Sequence, residues 1–188
     1  YMVKNTIGKL APLNLPKDDK SITPKAIAKI KIVDPACGSG SFLIGAYEYL
    51  LKWHQDYYLS NATAAKKDKA ITPTGSLTTS FKKQILLNNI FGVDIDVNAV
   101  EVTKLSLLLK CMEGETSASM AHQLSMFNER VLPTLENNIK CGNSLVDTDF
   151  YASELDFGLE IKVKPFNWQK EFPKVFSSST IKKAHLFK

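Results

Sequence analysis

Hydrophobic residues along this chain follow two rhythms, and the alternation between them outlines the elements. Short runs rich in β-branched residues lie at 31–34 (Lys-Ile-Val-Asp), 90–94 (Ile-Phe-Gly-Val-Asp) and 138–141 (Asn-Ile-Lys-Cys). Runs this short and apolar predict buried parallel strands. Between them apolar positions recur every three to four residues. Phe42, Leu43, Ala46, Leu50, Trp53 and Tyr57 predict a helix over 41–58, and another is predicted over 81–89. A further helix follows Asp96, which is placed to cap it, with Ala99, Val100, Val102, Leu105, Leu108 and Leu109 as its expected buried side.

The remaining segments are read from punctuation rather than rhythm. Residues 1–10 suit the end of a helix with Gly8 near its C-terminus, and 11–23 form a polar, proline-bearing loop. Thr23-Pro24 combines an N-cap with proline at the first helical position, which predicts a short helix over 24–30. Residues 61–80, rich in Ala, Lys, Thr, Pro and Gly, are expected to be a mobile surface loop with at most one polar helical turn. Residues 114–130 fit a helix lying over a loop, and Gly142-Asn143-Ser144 ends the third strand.

Strands alternating with helices, each strand ending in a small or acidic residue, predict an open α/β sheet, mostly parallel and covered by helices on both faces. Ligands of such sheets bind at the carboxyl ends of the strands. The 188 residues, 44% of them hydrophobic, suit one domain: N-terminal helices over 1–30, a strand-and-helix core over 31–149 and a basic tail over 150–188. Both ends read as cut, the first residue falling within a helix.

Composition narrows the partners. No apolar run approaches the ~20 residues of a membrane span. Cys37, Cys111 and Cys141 have no paired spacing and are read as reduced thiols of a cytoplasmic protein. His54, His122 and His185 are too scattered to suggest a metal site. The net charge of +5 arises entirely from Glu160 onward, where seven lysines face only Glu160 and Glu171. This tail also carries Phe166, Trp168, Phe172 and Phe176. It can meet a nucleic-acid backbone, or it can be a solvated loop anchored by its aromatics.

The candidate chemistry starts at Asp34-Pro35-Ala36-Cys37-Gly38-Ser39-Gly40-Ser41-Phe42. An acid at the strand end, a Gly-Ser-Gly turn and an apolar helix start build a loop whose backbone lies open to a ligand, because a Cβ would block both the turn and the approach. A dinucleotide is disfavoured. Its third glycine position is occupied by Leu43, and Asp94 lies 54 residues beyond Gly40, whereas the dinucleotide pattern places its acid about 20 residues on. Asp34 at the loop would also repel a pyrophosphate. S-adenosyl-L-methionine fits instead. Asp34 and the loop carbonyls suit its ammonium, Asp94 its ribose hydroxyls, Ile95 the face of adenine, and the Asn143 side-chain carbonyl the exocyclic amine. Pro35, Ala36, Cys37, Gly38, Gly40 and Phe42 complete the candidate contacts, Cys37 as a small packing residue rather than a nucleophile.

Asp34 through Phe42 resembles motif I of the amino-methylating DNA methyltransferases, and more narrowly the N6-adenine branch found in type I and type IIG restriction–modification enzymes. Gly92-Val93-Asp94-Ile95-Asp96 resembles motif II of that family, and Cys141-Gly142-Asn143-Ser144-Leu145 its motif III; residues 132–139 also resemble the type IIG group. The resemblance, covering about residues 1–168, implies a truncated Rossmann-like S-adenosylmethionine-dependent methyltransferase fold. It also implies a parent enzyme that methylates adenine N6 in a short site of double-stranded DNA, flipping the base to reach it.

The chain departs from that family at the catalytic Asn/Asp-Pro-Pro-Tyr/Phe segment. Its eight prolines include no adjacent pair, and Ser177-Ser178-Ser179-Thr180 stands where that strand is expected to begin. The family's Tyr/Phe-Thr-Pro element is missing as well, so no catalytic residue is assigned, and the chain is expected to bind donor without methylating DNA. Two rival readings stand: a protein-glutamine or RNA N-methyltransferase, and a non-catalytic nucleic-acid-binding module.

Overall fold

Three parallel strands form the centre of the computed structural model, which describes residues 2–11, 22–115, 132–149 and 163–176. They are β1 (Ile32–Asp34), β2 (Ile90–Asp94) and β3 (Ile139–Cys141), in the spatial order β1-β2-β3. Asp34 lies opposite Gly92, and Asp94 lies opposite Cys141. Parallel register carries all three carboxyl ends to the same edge of the sheet, where the candidate residues collect.

Among the described residues six helices precede β3: α1 (Met2–Leu10), α2 (Pro24–Ile27), α3 (Ser41–Ser60), α4 (Ala62–Asp68), α5 (Thr79–Asn89) and α6 (Val97–Met112). α3, α5 and α6 pack against the sheet, and α1 and α4 pack on α3, in a core that includes Leu43, Tyr47, Leu50, Leu86, Ile90, Leu107 and Ile139. Thr23 caps α2 as expected, its hydroxyl accepting from the Ala26 amide, but the helix stops at Ile27 rather than Ile30. Asn89 ends it: the buried side-chain amide donates to the carbonyls of Ile27 (2.8 Å) and Ile30 (2.7 Å). Asn138 does the same for α5, donating to Leu87 and Ile90 at 3.0 and 2.8 Å. Two buried amides thus tie the ends of α2 and α5 to the segments that follow them.

Among the described residues, the opposite face of the sheet is covered by an aromatic segment. Phe91 and Val93 of β2 pack against Phe166, Phe172 and Val175, with Trp168 and Phe176 alongside. The only regular element described in that covering segment is the short helix α7 (Trp168–Glu171). Burying a side chain of this size is worth about 1.5–3 kcal/mol, so aromatic packing fastens the segment where backbone regularity does not.

Two expectations are corrected. Residues 61–80 are a packed excursion, not a mobile loop. They contain α4, an antiparallel bridge between Ile71 and Leu77, and buried Ala70, Leu77 and Thr79. The Tyr58 hydroxyl donates to Asp68 at 2.8 Å and the Gln55 amide to Gly75 O at 3.0 Å, tying the excursion back to α3. The buried side of α6 is Val100, Thr103, Lys104, Leu107 and Cys111, whereas Val102, Leu105 and Leu109 are 49–64% exposed. This helix is apolar nearly all round, so spacing alone does not select a face. Its contacts with β2, β3 and α3 do. The readings for 12–21, 116–130 and 177–188 lie outside the described residues.

Candidate functional site

Five hydrogen bonds hold the first loop down. Asp34 turns the chain by accepting the Ala36 amide at 3.1 Å. The Cys37 amide then donates to Val93 O at 2.9 Å, and the Gly40 amide to Cys37 O at 2.8 Å. The Gly38 amide donates to Asp94 Oδ2 at 2.8 Å, while Gly38 O accepts from Thr103 Oγ1 at 2.8 Å. A loop from β1 is therefore lashed across the end of β2, and Phe42, partly buried, starts the helix behind it.

The glycines here serve distinct purposes. Gly40 has φ +83°, and a Cβ on it would lie 2.8 Å from Thr103 Cγ2, so both conformation and packing require glycine. Gly38 has φ +53° but nothing within 4 Å of a built Cβ, leaving open space in front of its backbone. Gly92 leaves room for Leu43 and Cys37 against the strand: a Cβ there would lie 2.7 Å from Leu43 Cδ1 and 3.2 Å from Cys37 Cβ. The Cys37 thiol is consequently buried. Burial first, and the Asp94 charge second, push its pKa up to about 11, which suits packing and not nucleophilic attack.

Asp94 occupies the middle of the site. Its second oxygen, Oδ1, accepts the Asp96 amide at 2.9 Å. A carboxylate offers about four acceptor positions, so two backbone bonds orient the group and leave lone pairs for a ligand. Asp96 caps α6 through the Asn98 amide at 2.9 Å, which is a structural task. Ile95 follows with 48% of its surface exposed.

β3 supplies the third side. The Gly142 amide donates to Asp94 O at 2.9 Å, placing Asn143 next to the Asp94 strand end. Asn143 Oδ1 accepts the Leu145 amide at 3.2 Å, keeping a second lone pair. Asn143 N donates to Lys164 O at 2.7 Å, and the Lys164 ammonium donates to Ile95 O at 2.9 Å. Pro35 and Ala36 are exposed beside this pocket. Pro35 also lines an open cleft of about 620 Å³ with Val33, Asp147, Asn167, Trp168 and Phe176.

The structure thus brings Asp34, the 35–40 loop, Asp94, Ile95 and Asn143 to one edge. Thr103 and Lys164 belong there too, and sequence reading missed both. Thr103 sits among apolar helix positions with no motif around it, and Lys164 is one lysine among many in the tail. The tail aromatics Phe166 and Phe172 are 3% and 1% exposed, committed to the sheet and closed to base stacking.

Comparison with known proteins converges on one group. The family model described as "MmeI, DNA-methyltransferase domain" matches residues 18–153. A type II restriction enzyme and methyltransferase of Escherichia coli, RM.Eco57I, is 34% identical over 141 residues, covering 75% of this chain and 13% of that protein. A putative type II restriction enzyme and methyltransferase of Methanocaldococcus jannaschii, RM.MjaORFECS2P, is 39% identical over 120 residues, 63% of this chain and 9% of its own length. The adenine-specific methyltransferase BrxX of Escherichia coli O9:H4 is 34% identical over 97 residues, covering 50% of this chain and 7% of that protein. The chain therefore spans about a tenth of the length of these relatives. No solved structure matches it.

Proposed function

The chain belongs to the MmeI DNA-methyltransferase domain family, and on that premise we propose that its strand ends bind S-adenosyl-L-methionine within a Rossmann-like methyltransferase fold. The chain is then the donor-binding part of a site-specific DNA adenine-N6 methyltransferase of a restriction–modification system. Adenine as the acceptor is supported by the printed name of BrxX, and of PglX from Lacticaseibacillus casei, both adenine-specific methyltransferases. Double-stranded DNA is engaged by the parent protein as a whole.

One observation carries the reading. The Asp94 carboxylate is held by the amides of Gly38 and Asp96 with acceptor capacity to spare, beside a glycine whose front is open. Two adjacent ribose hydroxyls need such a pre-oriented acceptor. Asp34 and the loop carbonyls take the ammonium, exposed Ile95 takes the adenine face, and Asn143 accepts from the exocyclic amine. When bound, the donor supplies an electrophilic methyl on sulfur. The chain's own residues bind and orient it, and with no Pro-Pro pair in the 188 residues the chain alone holds donor without transferring it.

Of the tail aromatics that the rival nucleic-acid module would use to stack on bases, Phe166 and Phe172 are buried against β2, which leaves only the partly buried Trp168 and Phe176. The donor reading is tested by titrating S-adenosylmethionine into the chain and into an Asp94→Ala variant. Binding by the wild type and a loss of at least about tenfold in the variant are expected, the worth of hydrogen bonds to a charged acceptor. Equal affinities, or no binding heat in either, overturn it.

A further inference from the structure

We propose that Lys164 is a positioning residue that sets the purine end of the donor pocket, an inference that rests on the donor-binding reading above. Lys164 touches both groups assigned to adenine, and it does so with different atoms. Its carbonyl accepts the Asn143 amide at 2.7 Å, and its ammonium donates to the Ile95 carbonyl at 2.9 Å. The same ammonium lies 4.0 Å from Cys141 Sγ, and Cys141 itself points its thiol at Ile95 O at 3.5 Å. Ile95 follows β2, Asn143 follows β3, and the residue bridging them comes from a third segment.

The bridge answers a mechanical need. The last backbone bond between the two strand ends runs from the Gly142 amide to Asp94 O, and among the described residues no backbone bond joins Ile95 to Asn143. The spacing between an apolar plate and an amide reader decides whether the reader meets the edge of a purine resting on the plate. A carbonyl bond on one side and a charge-assisted bond on the other hold that spacing. Pro165 and Phe166 keep Lys164 in place: Pro165 bridges Asn143 in parallel, and the Phe166 ring fills the space beside Gly142, 2.5 Å from where a Cβ would sit. The core on the second face of the sheet therefore reaches the pocket through Lys164.

The test separates positioning from folding and from failure of the donor reading. Affinities for S-adenosylhomocysteine and S-inosylhomocysteine, which differ at the 6-amino group that Asn143 reads, are measured on the wild type, Lys164→Met and Lys164→Arg. The wild type is expected to prefer the adenosyl compound. Lys164→Met keeps the stem and loses the donor. It is expected to bind the adenosyl compound about five- to tenfold more weakly, the worth of one ordinary hydrogen bond, with the adenosyl-to-inosyl preference shrinking too. Lys164→Arg restores both. If Lys164→Met does not fold by circular dichroism, Lys164→Gly replaces it, since glycine accepts the φ of +48° and keeps the carbonyl to Asn143. Unchanged affinity and preference in the folded variant, or equal loss for both compounds, overturn the positioning role and leave the donor site standing. No binding of either compound by the wild type overturns both.

Discussion

Asp94 Oδ2 accepts the backbone amide of Gly38 at 2.8 Å across 56 positions of chain. One carboxylate thereby anchors the first loop to the second strand and faces the space where a ribose would lie. Replacing it with alanine strips acceptors from the Gly38 and Asp96 amides together. The Asp94→Ala chain is expected to lose about 1–3 kcal/mol of stability as well as donor affinity, measured by urea unfolding beside the titration.

The two loop glycines separate binding from stability. Gly38→Ala incurs only the left-handed backbone penalty of about 1–2 kcal/mol, because nothing crowds its Cβ, yet it fills the open front of the loop. A folded chain with no measurable donor binding is expected. Gly40→Ala suffers the same φ strain plus collision with Thr103, and its thermal midpoint is expected to fall further than that of Gly38→Ala. Adding Thr103→Ala to Gly40→Ala is expected to restore part of the midpoint by removing the collision. No recovery in the double variant would show that the crowding is not the cause.

His54 gives the fold a pH dependence of its own. It is 2% exposed among Trp53, Tyr58 and Phe81, its Nδ1 has no hydrogen-bond partner among the described residues, and burial lowers its pKa from 6.5 to about 4. The unfolded chain takes up a proton near pH 6.5 that the folded chain refuses until near pH 4. Stability from this group is full above pH 6.5, falls as pH drops through that window and levels off below pH 4, by up to ~3 kcal/mol. Urea unfolding at pH 7.5, 5.5 and 4.5 checks this. His54→Phe is expected to lose less stability across that range than wild type.

Thiol chemistry offers a reporter for the purine end. Cys141 is exposed, whereas Cys37 and Cys111 are buried, and burial raises the pKa of both buried thiols. A thiol-reactive chromophore is expected to modify Cys141 quickly in the native chain, the other two reacting only after unfolding. Saturating S-adenosylhomocysteine is expected to slow the fast phase, since Cys141 shares the Ile95 carbonyl with Lys164. A fast phase indifferent to ligand would place the purine away from the end of β3.

Local chemistry made part of this molecule readable along the chain. A β-branched run ending in an acid and a Gly-Ser-Gly turn bends a strand into a helix whatever surrounds it, because φ +53° and +83° suit glycine. Thr23 and Asp96 cap from within three residues, so α2 and α6 start where expected. The placement of Asp34, Asp94 and Asn143 was legible for the same reason, each standing at or just after the end of a strand whose direction its neighbours determine. Long-range contact decided the remainder. The face that α6 buries, the packing of 61–80 through Tyr58 and Asp68, and the commitment of Phe166 and Phe172 to the sheet depend on surfaces that meet only after folding. Thr103 and Lys164 reach Gly38 and Ile95 from 65 and 69 residues away. A hydrogen bond at that separation leaves no periodicity or spacing in the chain, because its geometry exists only once sheet and helices have packed.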